Sequence, residues 1–314
     1  MKESVLGQHI RTRLKVRAGP CGIHIFNRST GANILIDEAR VPATMWATAP
    51  RQVSVALTNA CDLHCTYCYA PKHPAKLDSI RLIQWLDELD VNGCIGIGFG
   101  GGEPTLHPDL PKLCRHAAER TGLAVTFTTH AHLLDDRIAA SLRGNVHFIR
   151  VSMDGVGVTY EMLRNRSFSS LLYRFGLVRD LAPFGINFVV NALTMPDLDA
   201  AVALGVEVGA TELLLLPEQP VHGRGGIDNL TFQELRRWVM SYRGAIPLSI
   251  SEAGAIGLPT CCDPLRAETG LHAYAHIDAS GVLKRSSYDE KGVPIRSDGI
   301  MHAMKMLEIA TGDK

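Results

Sequence analysis

The sequence predicts an α/β protein built on a parallel sheet wrapped by helices. Three observations carry this. From Arg51 to Arg243, six apolar, strand-like runs alternate with segments of helical periodicity. Their spacing is that of successive β-α units, which place neighbouring strands parallel. The sixth run, Leu213-Leu214-Leu215-Leu216, is continuously apolar, as expected where both faces of a strand are covered. An eight-unit barrel is the periodic alternative, but the alternation fades after Arg243.

Taken in order, residues 1–48 precede the alternation. Gly22–Asn27 and Ala32–Asp37 read as a β-hairpin around Arg28-Ser29-Thr30-Gly31. It is read as a cap on the sheet's end, with a substrate-docking ribbon or an oligomer contact as alternatives. Gln52–Thr58 is the first strand of the main domain (49–245), and a cysteine-rich loop follows it. Leu77–Leu89 is a helix with Asp78 or Ser79 as N-cap and Gly93 beyond its end. Cys94–Phe99 is the second strand, with a helix near Asp109–Glu119. Ala124–Thr128 is the third, with a short helix at Asp135–Leu142. Val146–Ser152 is the fourth, and Ser167 caps the helix that carries Leu171, Phe175 and Val178. Ile186–Leu193 is the fifth, followed by a helix over Asp197–Val208. After the sixth strand, Thr231 and Glu234 form a capping box. Residues 246–314 read as a small α/β appendage, a hairpin of His272–Ile277 and Val282–Tyr288 with a helix near Gly299–Ile309.

Composition narrows the function classes. The chain has 314 residues, 46% of them hydrophobic, enough for a large core, and a charged fraction of 20% argues against a disordered protein. Lys plus Arg equals Asp plus Glu at 32 each, so no general nucleic-acid-binding or membrane-surface role is implied. Met1–Gln8 lacks the apolar core of a signal peptide, and no run approaches the ~20 apolar residues that span a bilayer. The expectation is a cytoplasmic protein with reduced thiols, so the eight cysteines, Cys21 among them, are cluster ligands and free thiols rather than a disulfide framework.

Three of those cysteines, Cys61, Cys65 and Cys68, fall within eight residues directly after the first strand. A cubane iron–sulfur cluster takes thiolates on its irons. Three cysteines on one loop leave the fourth iron open to a cofactor or substrate, whereas a closed structural metal site takes four protein ligands. The spacing C-x3-C-x-aromatic-C resembles the signature of the radical S-adenosylmethionine (SAM) superfamily. A zinc knuckle with His64 or a distant residue as fourth ligand is the alternative.

The resemblance extends to the other strand ends, where ligands bind in parallel α/β sheets. Gly100-Gly101-Gly102-Glu103 resembles the superfamily's GGE motif, which implies that Gly101, Gly102 and Glu103 bind the amino group of SAM. Ser152-Met153-Asp154-Gly155 is similar to a polar turn beside SAM's ribose and carboxylate in family members that modify peptides and small molecules. The resemblance thus makes Ser152 and Asp154 SAM-binding candidates, with Arg164 as a carboxylate partner, Asn191 facing the same pocket and Tyr67 against the adenine. His130 departs from the T-N-G-x-L pattern of related sequences. Together with His132 it is read as contacting SAM or substrate, a second metal being the alternative.

The implied fold is a partial, TIM-like (β/α)6 barrel with an N-terminal β-hairpin and a C-terminal α/β appendage. The implied cofactors are a [4Fe–4S] cluster and SAM. The implied chemistry is reductive SAM cleavage to a 5′-deoxyadenosyl radical, followed by hydrogen abstraction from an unactivated C–H bond. A low-potential electron donor such as flavodoxin or ferredoxin is the expected partner. Cys261-Cys262, with Ala275–Ser286, resembles an eroded cysteine-rich SPASM or twitch extension that has lost its auxiliary cluster. Cys261 or Cys262 is then a hydrogen-atom donor to a substrate radical, or a core residue. The layout resembles peptide maturases, so a ribosomally made peptide is the expected substrate. A sugar, nucleoside or cofactor precursor is the alternative, and a non-catalytic zinc or iron–sulfur protein is the third reading.

Overall fold

The computed structural model describes residues 13–312 except His222 and Arg224. The segment Met1–Gln8 lies outside the described residues. The main sheet has ten strands. Seven follow one another in chain order and pair in parallel: β4 (Gln52–Thr58), β5 (Gly96–Gly101), β6 (Ala124–Thr129), β7 (Phe148–Ser152), β8 (Phe184–Val190), β9 (Leu213–Pro217) and β10 (Leu248–Ile250). Right-handed crossovers that all step in one direction place the helices on one side of such a sheet. Alternation along the strands agrees. Val53 and Val55, Ile97 and Phe99, Val125 and Phe127, and Ile149 and Val151 are buried. Their alternate neighbours Gln52, Ser54, Thr126, Thr128 and Arg150 are half-exposed on the other, polar face.

The sheet continues past the first expected strand. On the free side of β4 lies β11 (Tyr274–Ile277), parallel to it, then β12 (Val282–Lys284) and β13 (Val293–Pro294), both antiparallel. The C-terminal hairpin expected at 272–288 therefore extends the main sheet. Its helix α8 (Ile300–Thr311) is fixed in the same way. Glu88, on α1 (Ser79–Val91), accepts from the amides of Ile300 and Met301 at 2.9 and 3.1 Å, filling two of the helix's orphan donors.

The remaining helices are α2 (Leu110–Arg120), α3 (Asp136–Leu142), α4 (Val158–Arg164), α5 (Phe168–Leu181), α6 (Leu198–Val208) and α7 (Asn229–Ser241). Asp78, Asp135 and Ser167 cap α1, α3 and α5 through their side chains. Two details differ from the sequence reading. The cap of α7 is Asp228, which accepts from the Thr231 amide at 3.0 Å, so the expected capping box lies inside the helix. Helix α4 was not anticipated. It begins at Gly157 without a side-chain cap and buries only Tyr160, so it carries no apolar period.

Residues 14–36 form a separate antiparallel sheet, β1 (Leu14–Gly19), β2 (Gly22–Asn27) and β3 (Asn33–Ile36), in that order. The hairpin β2–β3 was expected and β1 was not. The alternating Lys15 and Arg17 of β1 face inward. Lys15 pairs with Asp90. Arg17, 2% exposed, donates to the carbonyls of Ala49, Gly93 and His272 and pairs with the buried Glu268 at 3.2 Å. Arg28 donates to the carbonyls of Ala118, Thr121 and Leu123 at the end of α2. These carbonyls lie where the chain enters β4, β5, β6 and β11. The small sheet thus caps the N-terminal ends of the strands, opposite the loops that follow them. Among the described residues, no helix is long and apolar enough to cross a membrane.

This cap makes a stability prediction. Among the described residues, Arg17→Ala leaves the buried Glu268 with Arg51, at 3.4 Å, as its one charged partner, and losing one member of a buried pair costs about 3–5 kcal/mol. The expected result in urea unfolding is a lower midpoint with an unchanged slope. A loss below ~1 kcal/mol would show that Arg51 alone satisfies Glu268.

Candidate active site

The cysteine loop and the clusters around Glu103 and Asp154 lie at the C-terminal end of the main sheet. The loop after β4 carries Cys61, Cys65 and Cys68, all half-buried free thiols. The loop is pinned at its far end, where the Asn59 amide donates to Ala75 and the Asn59 side chain to His73, at 3.0 Å each. Burial pushes the Cys61 thiol up to about 11, helped by Glu103 and Asp62 and opposed by the Leu63 amide. Burial also raises Cys65, against the pull of Arg164. Burial thus favours the neutral thiol at Cys61 and Cys65, and a bound metal would reverse that preference.

The turn after β5 is welded to the start of this loop. The Gly102 amide donates to Thr58 O at 2.7 Å, and the Glu103 amide to Ala60 O at 2.8 Å. Gly101 has φ +120°, and a Cβ there would lie 2.3 Å from Thr58 O; one on Gly102 would lie 2.2 Å from Ala60 O. Only glycine fits either position. The close approach is to the protein's own backbone, where the sequence reading expected a ligand.

Glu103 is 1% exposed and surrounded by donors. Its Oε1 accepts from the Thr105 amide (3.1 Å), the Thr105 hydroxyl (2.6 Å) and the Thr129 hydroxyl (2.8 Å). Its Oε2 accepts from the His130 amide at 3.0 Å, and His130 Nε2 lies 3.3 Å away. The same Nε2 is 2.8 Å from Asp62 Oδ1, and Arg166 holds Asp62 Oδ2 at 3.0 Å. His132 Nε2 meets the Tyr160 hydroxyl at 2.6 Å.

A second cluster sits beside the first. Asp154, 1% exposed, accepts from the Tyr67 hydroxyl at 2.6 Å, from the Arg164 guanidinium, and from the Val189 amide at 2.7 Å. The Arg164 guanidinium stands 5.9 Å from the Tyr67 ring centroid, so Tyr67, Asp154 and Arg164 form one unit. Ser152 ends β7 beside Asn187. Asn191 follows β8; its side chain donates to Glu218 at 2.7 Å and accepts from the Leu193 and Thr194 amides. Cys261 and Cys262 are both exposed, on the segment leading back to β11.

The sequence reading missed Asp62, Arg166, Tyr160 and Glu218. Asp62 had one available signal, its place between two cysteines; the others had none. It also missed the polar row on β4 and β11. Ser54 Oγ lies 2.7 Å from His276 Nδ1 and also bonds the Tyr274 hydroxyl. Burial, followed by Lys284, lowers His276 to about 4. A cavity of about 20 Å³, lined by Asn59, Tyr69, Gly101, His276, Asp278 and Lys284 among others, adjoins this row. It has room for roughly one water.

The donor set discriminates between metal groups. His64 is exposed. The imidazole near Cys61 is His130, whose ligand atoms lie with those of Cys61 and Asp62 within 4.8 Å of one another. Both of its nitrogens are already engaged, Nδ1 by the His132 amide at 3.1 Å. Three thiols on one loop, with no free fourth ligand beside them among the described residues, suit a cluster with one open iron better than a closed zinc site.

Residues 55–202 match the model of the Radical SAM superfamily. A GTP 3′,8-cyclase of Chlorobaculum tepidum is 35% identical over 126 residues, 39% of this chain and 36% of its own length. A PqqA peptide cyclase of Rhodopseudomonas palustris is 36% identical over 115 residues, 35% of this chain and 30% of its own. The chain thus spans about a third of the length of these relatives. The structure of Streptococcus suis SuiB bound to precursor peptide SuiA superposes with a TM-score of 0.73 at 12% identity, covering 93% of this chain and 87% of that one. At that identity the match establishes the fold.

Proposed function

We propose that this member of the radical SAM superfamily, which carries the family's domain over residues 55–202, abstracts hydrogen from a C–H bond of a ribosomally made peptide, using a [4Fe–4S] cluster and SAM. When bound, these groups supply a one-electron reduction of SAM and a carbon radical that takes hydrogen from unactivated positions. The observation that carries the reading is the weld between the Cys61–Cys68 loop and the Gly101-Gly102-Glu103 turn, which makes the cluster ligands and the SAM-facing carboxylate one rigid piece.

The chain's own residues then bind, orient and exclude water. Cys61, Cys65 and Cys68 are the cluster ligands. Glu103 accepts from the ammonium of SAM. Arg164, anchored by Asp154 and stacked over Tyr67, is the partner for its carboxylate; Ser152 and Asn191 complete the rim. The peptide reading draws on the similarity to PqqA peptide cyclases and on the fold shared with SuiB. Similarity to a GTP 3′,8-cyclase favours a second reading, a nucleoside or cofactor-precursor substrate. A low-potential flavodoxin or ferredoxin supplies the electron, in the cytoplasm, where the thiols stay reduced. Residues 246–314 are a remnant extension without an auxiliary cluster, and Cys261 or Cys262 gives a thiol hydrogen to the substrate radical. That transfer forms the product C–H bond and leaves a thiyl radical, which an electron from the donor protein and a proton restore to the thiol.

Three results are expected. Anaerobically reconstituted protein holds about four irons per chain, and the triple variant Cys61→Ala/Cys65→Ala/Cys68→Ala holds none; stoichiometric zinc without iron defeats the enzyme reading. Glu103→Gln lowers SAM affinity about ten- to a hundredfold at unchanged iron content, since a charge-assisted bond in a dry site contributes about 1.5–3 kcal/mol; wild-type affinity refutes its role. Cys261→Ala/Cys262→Ala keeps iron and 5′-deoxyadenosine formation but turns over less peptide. A loss of half the iron would reveal a second cluster, and unchanged turnover would leave both thiols without a catalytic part.

A further inference from the structure

His130 has surroundings that are unusual on two independent counts. It is 3% exposed, with its Nε2 between two carboxylates that belong to different strand ends: Asp62 at 2.8 Å, from the cysteine loop, and Glu103 at 3.3 Å, from the turn after β5. Because Nδ1 accepts from the His132 amide, the ring proton is on Nε2, where one N–H faces two acceptors. The next residue, Ala131, is fully buried and non-glycine, yet it has φ +64°. Left-handed backbone at alanine costs roughly 1–2 kcal/mol. Such strain persists only where the surroundings over-determine it, and it gathers at functional positions. Here the strained turn delivers both the His130 amide and the ring to Glu103.

The donors around Glu103 show what the arrangement does. An ionised carboxylate offers about four lone-pair sites. Three donors approach Oε1, and two, both from His130, approach Oε2. Glu103 can accept from an ammonium group only by releasing one of them. The longest contact is that of His130 Nε2, and its proton already has a better acceptor in Asp62, which Arg166 holds in place. Releasing this one donor strands no buried polar group.

We propose that His130 is a positioning residue for SAM: it locks the cysteine loop to the glutamate turn through Asp62 and Glu103, and gives up its contact with Glu103, keeping that with Asp62, when the ammonium arrives. This deepens the radical SAM reading and rests on it. Asp62 and Glu103 are then a matched pair, one a permanent acceptor for the ring and the other an acceptor on loan.

The test uses anaerobically reconstituted full-length protein and reads iron per chain, SAM affinity by equilibrium dialysis, and the change in the reduced cluster's EPR signal on adding SAM. His130→Leu keeps the bulk without the N–H; His130→Gln restores a donor. The expected result is that the leucine variant retains iron but binds SAM at least tenfold more weakly with a diminished EPR change, and that the glutamine variant recovers affinity to within about threefold of wild type. If the leucine variant binds SAM as wild type does, the proposal fails. If it loses its iron, the glutamine variant decides: recovered iron and affinity support the proposal, whereas recovered iron without affinity overturns it, leaving His130 a packing residue. Wild-type protein that takes up no iron would instead overturn the underlying radical SAM reading, a result visible before any variant is compared.

Discussion

The close approach of two backbones is the constraint on which the site depends. Where β5 ends, Gly101 and Gly102 lie so near Thr58 and Ala60 that a single methyl group on either would collide with a carbonyl oxygen. Two amide bonds close the contact. The cysteine loop cannot shift without carrying the glutamate turn with it, and a long, irregular loop acquires the precision of a sheet. The helices and core of the main sheet then serve to hold β4 and β5 in register, which they do with fully buried Val53, Ile97 and Leu82.

Charge is distributed to match. Buried ion pairs are weak sources of stability and good sources of specificity, since a lone member is costly and few alternative arrangements satisfy both. This protein places them at both ends of the sheet. Arg17 and Glu268 fix the cap at the strands' N-terminal ends. Arg164 and Asp154 fix the opposite end, beside the hydrogen bonds that join His130 to Glu103 and Asp62. Between them the core is almost wholly apolar. The polar groups therefore select which arrangement forms, while the apolar strands and helices supply the driving force.

The sequence made the repeating part of this structure legible and left its closures hidden. The strand runs and the helices α1, α2, α3, α5 and α6 were found close to their true bounds, because each buries several residues on one face at a regular period. That Cys61, Cys65, Cys68 and Glu103 fall on neighbouring strand ends was legible from their place directly after the first two strand runs. Helix α4, with Tyr160 as its one buried side chain, has no period to detect. Strand β1 hides behind inward-facing cations that composition assigns to water. The pairing of β11 with β4 joins residues far apart in the chain, and no local pattern records a partner that distant. Asp62, Arg166 and His130 form a bridge only once three strand ends have been brought together, so their alliance is a property of the fold.

That distant pairing has a consequence for how the protein is made. Strand β4 has β5 on one side soon after it leaves the ribosome, but its other neighbour, β11, bonds to it across 222 positions, from Ser54 to His276. At about 5–20 residues per second, translation of that interval takes roughly 10–45 s. Throughout that time the strand that leads into the cysteine loop is an unprotected edge, with free amides and carbonyls that can pair with another nascent chain. The segment that carries β11 is what seals it. Synthesis therefore leaves a window in which the loop is already present and its strand still open on one side, and the order of translation, rather than any lid, sets how long that side is accessible.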